Sequence, residues 1–401
     1  MSWREMTLGE ITDLKRGFDL PKSQRLQGDV PVYSSSGITG SNSTAAVEGP
    51  CVITGRYGTI GEVFFSGGPC WPLNTALYST EFNGNNPRFV YYLLQTIPWQ
   101  GYTTASAVPG VNRNHVNLCP VKIPDKATQD AIVEVLDSIV DKIALNNQLN
   151  DYLLELATVR FEQELAKESK TYRFSELIEL EDSKRVPLNS RDRKVRKGSY
   201  PYYGATSIMD YVDDYLFDGI RVLLGEDGTV IREDGKPVLQ YVWGKYWVNN
   251  HAHILKSKVD YSLEAIYIAL ARTTINHIVT GAVQMKISQK NLNDLELEMP
   301  TASSLDYLED IFALYRSNAE ESKKLEILRD VLLPKLLSGK IDVSKVDLTQ
   351  LTNNHLSGCG SFCSVCCPSG LASEFHEWFR EHFFFGYGHL CKADLGWEDL
   401  P

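Results

Sequence analysis

The strongest candidate for chemistry in this sequence is a basic tract, KRVPLNSRDRKVRKG, at residues 184–198. It contains seven Lys or Arg residues and a single Asp. A solvated loop can carry such a run without a function, and the alternative is a loop that contacts the phosphates of a nucleic acid. The segment YPYYG follows at once and places aromatic and hydrogen-bonding groups beside the cations, which favours phosphate contact. The matching place in the first half of the chain, residues 18–28, contains only Lys22 and Arg25.

Motifs typical of catalysis are missing from the sequence. It contains no Walker loop, no H-E-x-x-H and no G-x-S-x-G pattern. The glycine pairs Gly55/Gly58 and Gly225/Gly228 lack the third glycine and the βαβ setting of a dinucleotide site. Each pair is predicted to form a turn, with close approach of a ligand to the backbone as the alternative.

Three histidines are candidates for metal binding. His251 and His253 would point to one face of a strand, because strand side chains alternate. No nearby cysteine or carboxylate in the sequence completes a metal set for them, and His115 stands alone. We therefore predict no metal site and no catalytic activity for this chain.

The chain contains an internal repeat. YPYYGATSI at residues 200–208 resembles VPVYSSSGI at residues 30–38, and GEDGTV at residues 225–230 resembles GRYGTI at the same offset of 170. Further on, an offset of 176 aligns WVNNHAH, which begins at Trp247, with WPLNTAL, which begins at Trp71. We interpret the sequence as a tandem duplication with a small loop insertion.

Each half combines strand and helix patterns. Short apolar runs such as CVITG and IRVLLG, separated by Gly, Asn and Pro, predict a curved sheet with many loops. Residues 87–95 and 261–272 are the clearest predicted helices within the two halves. The predicted fold class is α+β, with two duplicated mixed α/β domains.

A long amphipathic helix is predicted after each half, at residues 128–166 and 305–333, with Pro334 ending or kinking the second. Both have a narrow apolar seam, so we expect them to pair in an antiparallel coiled coil. Asn146, Asn147 and Asn150 interrupt the first seam. They either fix the register of the pair or mark where the helix faces another element.

The composition favours a soluble, cytoplasmic protein. The 401 residues are 43% hydrophobic and show no membrane span or signal peptide, and the formal net charge is -11. This charge argues against binding of nucleic acid by bulk electrostatics, so contacts with DNA must come from local basic patches or from partners. Cys51, Cys70 and Cys119 lie singly in apolar surroundings and are predicted to be buried, reduced thiols.

The order of these parts resembles the specificity subunit of type I restriction-modification systems. The matching motifs are W-x-x-x-x-L-G-E at residues 3–10, LDSIVDKIALNNQLNDYLLELA at residues 136–157 and LRDVLLPKLLSGKI at residues 328–341. The resemblance covers about residues 1–346. It implies target recognition domains at residues 1–124 and 171–300, helical regions at 125–170 and 301–346, and an atypical tail at 347–401.

The resemblance also implies a non-catalytic DNA reader. Each recognition domain would read one half of a bipartite, asymmetric site in double-stranded DNA, and the helices would fix the gap between the halves. N6-adenine methyltransferase subunits would dock on the helices, and restriction or motor subunits would join them. No cofactor is expected on this chain, because S-adenosylmethionine, ATP and Mg would bind the partner subunits. The alternative is an assembly scaffold with degenerate recognition domains that does not read DNA.

The family gives no fixed set of base-reading residues, so we chose candidates by their chemistry. They are loop residues able to bond base edges or phosphates. In the first half these are Lys22, Arg25, Ser35, Arg56, Tyr57, Asn112 and Arg113. In the second half they are Arg191, Arg193, Lys194, Arg196, Lys197, Tyr203, Lys245, Tyr246 and Lys286.

The tail departs from the family pattern. Cys363 and Cys366, with His376, His382 or Cys391, could form a zinc site, although the spacing matches no zinc motif known to us. The alternative is a poorly ordered or aberrantly translated extension. We predict no metal site there.

Overall fold

The computed structural model of the chain describes residues 3–103, 110–281 and 284–346, and the whole tail lies outside them. The described residues form two compact units. The first unit contains those up to 146 and again from 321, and the second contains those from 147 to 320. None of the described helices is long and apolar enough to cross a membrane.

The first unit is a mixed α and β structure. Its strands are β1 (Trp3–Thr7), β2 (Lys15–Arg16), β3 (Val30–Ser34), β4 (Gly37–Asn42), β5 (Cys51–Gly55), β6 (Val63–Ser66), β7 (Trp71–Pro72), β8 (Ala76–Ser79) and β9 (Pro120–Pro124). Its helices are α1 (Leu8–Ile11), α2 (Pro87–Gln95), α3 (Arg113–Val116) and the first part of α4 (Lys126–Lys167).

The strands of the first unit form two small sheets and one separate pair. The antiparallel sheet has the order β2-β8-β5-β6, and the second sheet has the order β4-β3-β7 with β7 parallel to β3. β1 pairs with β9 antiparallel. Helix α2 closes the main core of this unit with Phe89, Val90 and Leu94, which are completely buried.

The second unit contains a second set of similar elements. Its strands are β10 (Ser169–Arg173), β11 (Ile178–Leu180), β12 (Lys197–Tyr203), β13 (Ile208–Val212), β14 (Phe217–Asp218), β15 (Arg221–Gly225), β16 (Leu239–Val242), β17 (Lys245–Val248), β18 (Ala252–Ser257), β19 (Val279–Thr280), β20 (Lys286–Ile287) and β21 (Glu296–Pro300). Its helices are the second part of α4, α5 (Phe174–Leu177), α6 (Ser190–Val195), α7 (Leu263–Arg272), α8 (Gln289–Asn293) and the first part of α9 (Tyr307–Leu337), the end of which belongs to the first unit.

Apart from the added strands β14, β19 and β20 of the second unit, the two units have the same sheet topology, which confirms the predicted duplication. The sheet β11-β18-β15-β16 repeats the first sheet, and β13-β12-β17-β14 repeats the second with β17 parallel to β12. The repeat also includes β1 with α1, which return as β10 with α5. In both places the Glu three residues after the N-cap, Glu10 or Glu176, accepts a 2.7 Å bond from the N-cap amide of Thr7 or Arg173. The alignment of the two halves in the sequence did not include this segment, although both copies have a Glu three residues after the N-cap.

The helices within each half form where they were predicted. Helix α2 begins at Pro87, because Asn86 caps it and proline suits the first turn. Helix α7 begins two residues later than predicted, because the side chain of Ser262 caps it by accepting from the Ala265 amide. Cys51, Cys70 and Cys119 are buried and free of disulfides, as expected.

The long helices run antiparallel within each unit. In the first unit, Ile139 and Ile143 of α4 pack with Leu325 of α9, and Asn146 donates to Glu321 at 2.9 Å. In the second unit, Asn150 meets Tyr315, and Arg160 lies 4.2 Å from the ring centre of Tyr307. This packing is consistent with the predicted coiled coil. Helix α9 continues past Pro334 to Leu337, so the prediction that this proline could end the helix is wrong.

Two of the family motifs meet at the end of α9. Gly339 follows this helix with a φ of +71°, a conformation that favours glycine. A Cβ atom added there would lie 2.8 Å from the indole of Trp3. The first and last motifs that carry the resemblance therefore pack against each other in the first unit.

The asparagines of the helical seam support the register interpretation. Asn146 and Asn150 are buried and bond to α9, whereas Asn147 is exposed. Asn318 donates to the Oδ1 atom of Asn150 at 3.0 Å, and the Nδ2 atom of Asn150 donates to the carbonyl of Tyr315 at 3.1 Å. The hydrogen bond between Asn150 and Asn318 thus fixes which residue of α4 faces which residue of α9.

We expect Asn150→Leu or Asn318→Leu to lower the free energy of unfolding by about 1–3 kcal/mol, because each leaves a buried amide without its partner. The double substitution should cost clearly less than the sum, since both polar groups are then gone. Urea unfolding of the four proteins measures this coupling. Asn147→Leu is the matched control and should change stability by less than about 0.5 kcal/mol. Additive effects of the two substitutions would contradict the pairing.

Candidate nucleic-acid interface

Four segments of the first unit meet at one edge, and we call them site 1: residues 34–37, 55–59, 74–75 and 110–112. The amides of Arg56 and Tyr57 both donate to the carbonyl of Thr75, at 2.9 and 3.2 Å. The carbonyl of Arg56 accepts from the amide of Val111 at 2.9 Å. Ser35 closes the group, because a Cβ atom added at Gly55 would lie 3.3 Å from that of Ser35. Backbone contacts therefore fix this loop.

The G-x-x-G turn of site 1 requires its glycines. Gly58 has a φ of +80°, and a Cβ atom at Gly55 would lie 1.7 Å from the carbonyl oxygen of Thr59. The turn presents the side chains of Arg56 and Tyr57 at the surface, with the guanidinium carbon 4.5 Å from the ring centre. A Cβ atom at Gly110 would lie 2.2 Å from the Tyr57 ring, so the backbone of Gly110 supports that ring.

The second unit builds the same backbone arrangement, which we call site 2: residues 204–207, 225–229, 250–251 and 286–288. The amide of Glu226 donates to the carbonyl of His251 at 2.8 Å, and its carbonyl accepts from Ile287 at 2.9 Å. Asp227 forms a bridge with Lys286, as Tyr57 does with Gly110. Sites 1 and 2 therefore share their backbone, but Glu226 and Asp227 stand where site 1 has Arg56 and Tyr57.

Beneath site 2 lies a buried ion network. The Nδ1 atom of His253 is 2.6 Å from Asp182, and its Nε2 atom is 3.0 Å from the carbonyl oxygen of Ile287. The carbonyl oxygen of Ile287 is an acceptor, so Nε2 donates to it, and Nδ1 bonds to the carboxylate of Asp182. Asp182 also accepts from the Ile254 amide at 2.9 Å and from Gln289 at 2.6 Å. Burial alone would raise the pKa of Asp182, but these bonds and the charge of His253 hold it below its ordinary value.

The fold brings carboxylates to His253 that are distant from it in the sequence. Atoms of Asp182, Glu226 and His253 that could bind a metal lie within 4.8 Å of one another. The sequence did not indicate this, because Asp182 is 71 residues from His253. Each of the three already bonds to protein groups, with Arg185 donating to Glu226 at 2.6 Å. His251 bonds to Asp227, and His115 is exposed. The arrangement suits a structural ion network better than a metal centre.

Acidic residues neutralise most of the basic tract. Lys184 pairs with Glu181 at 2.6 Å, and Arg185 pairs with Glu226 at 2.6 Å. Further ion pairs of the tract are Arg185–Asp182 at 3.6 Å, Arg193–Asp210 at 3.4 Å, Arg196–Asp213 at 2.8 Å, Arg196–Asp214 at 3.8 Å and Lys197–Asp210 at 2.8 Å. The guanidiniums of Arg193 and Arg196 also lie over Tyr202 and Trp247. These three candidates therefore hold the tract onto its own unit in this conformation.

Two cations of the tract remain available. Arg191 and Lys194 are exposed on α6, and neither forms an ion pair with any residue that the structure describes. They lie on the turn of helix that Asn189 caps. If the tract contacts phosphates in this conformation, Arg191 and Lys194 are the side chains available to do so.

The other candidates of the second unit differ in exposure. Tyr246 is completely buried against Phe217, with 5.8 Å between ring centres, so the prediction that it contacts DNA is wrong. Tyr203 is half-buried against Tyr246, and burial raises its pKa to about 12. Lys245 is exposed over the ring of Tyr215, and a hydrogen bond to this tyrosine raises the lysine pKa. Lys286 lies in site 2, 3.5 Å from Glu226.

Four of the seven candidates of the first unit lie in site 1, and Arg113 lies next to it. Ser35, Arg56, Tyr57 and Asn112 belong to site 1, and Asn112 caps α3 by accepting from the Asn114 amide at 3.0 Å. Arg113 follows as an exposed residue of α3.

The other two candidates, Lys22 and Arg25, lie outside site 1, and Arg25 bonds to strand β4. Arg25 donates to the carbonyl of Thr39 at 2.7 Å, which makes it a structural residue of this edge. Lys22 is exposed and has no ion pair within the described part of the chain. His251 and Asp227 also lie in site 2, and neither was among the residues predicted to contact DNA.

Comparison with known proteins gives consistent matches. The family model for the type I restriction modification DNA specificity domain matches residues 1–155 and 166–326. A Haemophilus influenzae protein named as a type I restriction enzyme specificity subunit is 30% identical over 128 residues, which is 32% of each chain. The Escherichia coli type I restriction enzyme EcoprrI specificity subunit is 20% identical over 356 residues, covering 76% of this chain and 85% of that protein.

The fold also matches a solved structure. The crystal structure of a type I restriction-modification S subunit from M. genitalium aligns with a TM-score of 0.54 and 15% identity. The alignment covers 84% of this chain and 96% of that one. At this identity the match supports the duplicated fold alone.

Proposed function

This chain belongs to the type I restriction modification DNA specificity family, and we propose that it reads a bipartite, asymmetric sequence in double-stranded DNA for a methyltransferase complex. The family match covers both halves of the chain, so the chain has two recognition domains. In the proposal each domain reads one half of the target. The relatives are named as specificity subunits, which agrees with the predicted non-catalytic role.

The observation that carries the proposal is the pair of equivalent sites with different side chains. Sites 1 and 2 share two equivalent backbone hydrogen bonds, which hold the loops in place. Arg56 and Tyr57 in one site correspond to Glu226 and Asp227 in the other. Base edges are distinguished by their donors and acceptors, so two such sites suit two different half-sites.

The proposed partners are the enzymes that act on the chosen DNA. We propose that N6-adenine methyltransferase subunits dock on helices α4 and α9, and that restriction or motor subunits join the complex. S-adenosylmethionine, ATP and Mg would then bind these partners. A net charge of -11 supports the dependence on partners, because a solitary DNA binder gains affinity from a basic surface. The proposed location is the cytoplasm.

Methylation-aware sequencing of the host genome tests the proposal. Deleting the gene should remove N6-methyladenine from one bipartite motif, and a plasmid copy should restore it, whereas an empty plasmid should not. An unchanged methylation pattern, with the partner genes intact and expressed, would contradict DNA reading. If the chain then still copurified with the methyltransferase subunit, it would be the scaffold of the alternative interpretation.

A further inference from the structure

We infer that Arg56, stacked on Tyr57, forms a guanine-binding site that recognises the O6 and N7 atoms of one base in the major groove. The inference rests on the proposed function and assigns part of the recognition to site 1. It concerns only the first half-site of the target.

The first support is the availability of the Arg56 guanidinium. Among residues 3–103, 110–281 and 284–346, no carboxylate or hydrogen-bond acceptor pairs with this side chain, and Tyr57 is its neighbour. Some other arginines are engaged by carboxylates, such as Arg88 with Asp137 and Arg221 with Glu181, both at 2.5 Å. Arg56 is partly exposed, and its guanidinium carries five N–H donors.

The second support is preorganisation. Both backbone polar groups of Arg56 are used, by Thr75 and Val111, so the base of the side chain is fixed. The guanidinium lies 4.5 Å from the centre of the Tyr57 ring, and the backbone of Gly110 holds that ring from its edge. A fixed planar fork loses less rotational entropy on binding than a free lysine or arginine does.

The third support is the match between the fork and the base. Guanine presents two acceptors, O6 and N7, in the major groove, which a planar pair of N–H donors can bond together. Adenine presents one acceptor and one donor there, so the same fork cannot bond it twice. A phosphate is the competing ligand, because it also accepts two bonds from arginine.

The comparison with site 2 favours the base over the phosphate. Both domains would need phosphate contacts from equivalent backbone positions, since the DNA backbone is the same in each half-site. Site 2 instead places Glu226 at the position of Arg56, and this glutamate is bound to Arg185. A position that changes from cation to anion on the same backbone is expected to read sequence.

Modified bases in a binding experiment test the inference. The probe is a DNA duplex that contains the methylation motif identified by the genome sequencing described above. In this duplex each guanine in turn is replaced by 7-deazaguanine, which lacks the N7 acceptor. The protein is the purified complex of this chain with its methyltransferase subunit. For one guanine we expect affinity to fall roughly 5- to 150-fold, the range for loss of a specific base contact. Inosine at the same place keeps O6 and N7 and should bind normally.

The variant Arg56→Gln connects this effect to the residue. It should bind the unmodified duplex more weakly and lose its sensitivity to 7-deazaguanine at that one position, and in cells its methylation motif should become degenerate there. Arg4→Gln removes an exposed cation from β1 and is the matched control, expected to behave as wild type. Copurification with the methyltransferase subunit shows that each variant folds.

Three results would overturn the inference. The first is that 7-deazaguanine lowers the affinity of wild type and of Arg56→Gln equally. The second is that Arg56→Gln methylates all sites less but keeps the same motif. The third is that no guanine of the motif lowers the affinity when it is replaced by 7-deazaguanine. The second result would identify a phosphate contact. Failure of the wild-type gene to restore any motif is a different outcome, because it rejects the proposed function itself.

Discussion

Asp182→Ala is expected to lower the free energy of unfolding of the second unit by roughly 3–5 kcal/mol, the range for removing one partner of a buried charge pair. Asp182 is only 7% exposed and accepts bonds from His253, the Ile254 amide and Gln289. The substitution removes the buried carboxylate that bonds to His253 and leaves the Ile254 amide and Gln289 without this acceptor. Urea unfolding followed by tryptophan fluorescence measures the loss.

The matched control for Asp182 is Asp234→Ala. Asp234 also pairs with cations, Arg232 and Lys236, but its side chain is 41% exposed. Exposed pairs are worth about 0–1 kcal/mol, so this variant should unfold nearly as wild type does. If the two variants lost similar stability, the buried network would not have the proposed role.

The same carboxylate predicts a pH dependence. The folded state holds the pKa of Asp182 below its ordinary value, so its stabilisation is fully present above the unfolded value of about 3.9. The stabilisation is lost as the pH falls below 3.9 and through the lowered folded pKa. Asp182→Ala should lack this part of the acid destabilisation, and a wild-type-like acid profile in the variant would contradict the assignment.

Phe312→Ala should be the most damaging single change in the helix core of the second unit. Phe312 is completely buried on α9, and its ring centre lies 4.9 Å from Tyr241, 5.8 Å from Tyr267 and 6.0 Å from Tyr315. Removing such a ring costs about 3–5 kcal/mol through lost burial and the remaining cavity. Thermal and urea unfolding should both show the loss.

Ile327→Ala is the control on the same helix. Ile327 is 62% exposed, so its truncation should change stability by less than about 0.5 kcal/mol. A small effect of Phe312→Ala, similar to that of Ile327→Ala, would show that α9 does not depend on this aromatic cluster.

The features that could be predicted from the sequence are local or repeated. The offset of 170 identified the turns at Gly58 and Gly228, because both positions need a positive φ. Apolar spacing identified α4, and the predicted helix at residues 87–95 matches α2. These signals lie within a few residues of the structure that they predict.

The features that could not be predicted depend on contacts between distant residues. The basic tract was predicted to contact phosphates because the acidic residues that pair with it, such as Asp210 and Glu226, lie outside it in the sequence. Tyr246 was predicted to lie at the surface, but the ring of Phe217 covers it. Asp182 reaches His253 only through the fold. Charge counts along a chain do not show which charges the fold pairs.

The claim that each recognition domain reads its own half-site is tested most directly by a domain exchange. Residues 11–119 would be replaced by the equivalent segment of a specificity subunit with a different known target, and the methylation motif of the chimaera would be sequenced in cells with the partner subunits. We predict that one half of the bipartite motif changes to that of the donor while the other half stays the same. A change in both halves, or a functional chimaera with neither half changed, would contradict the account.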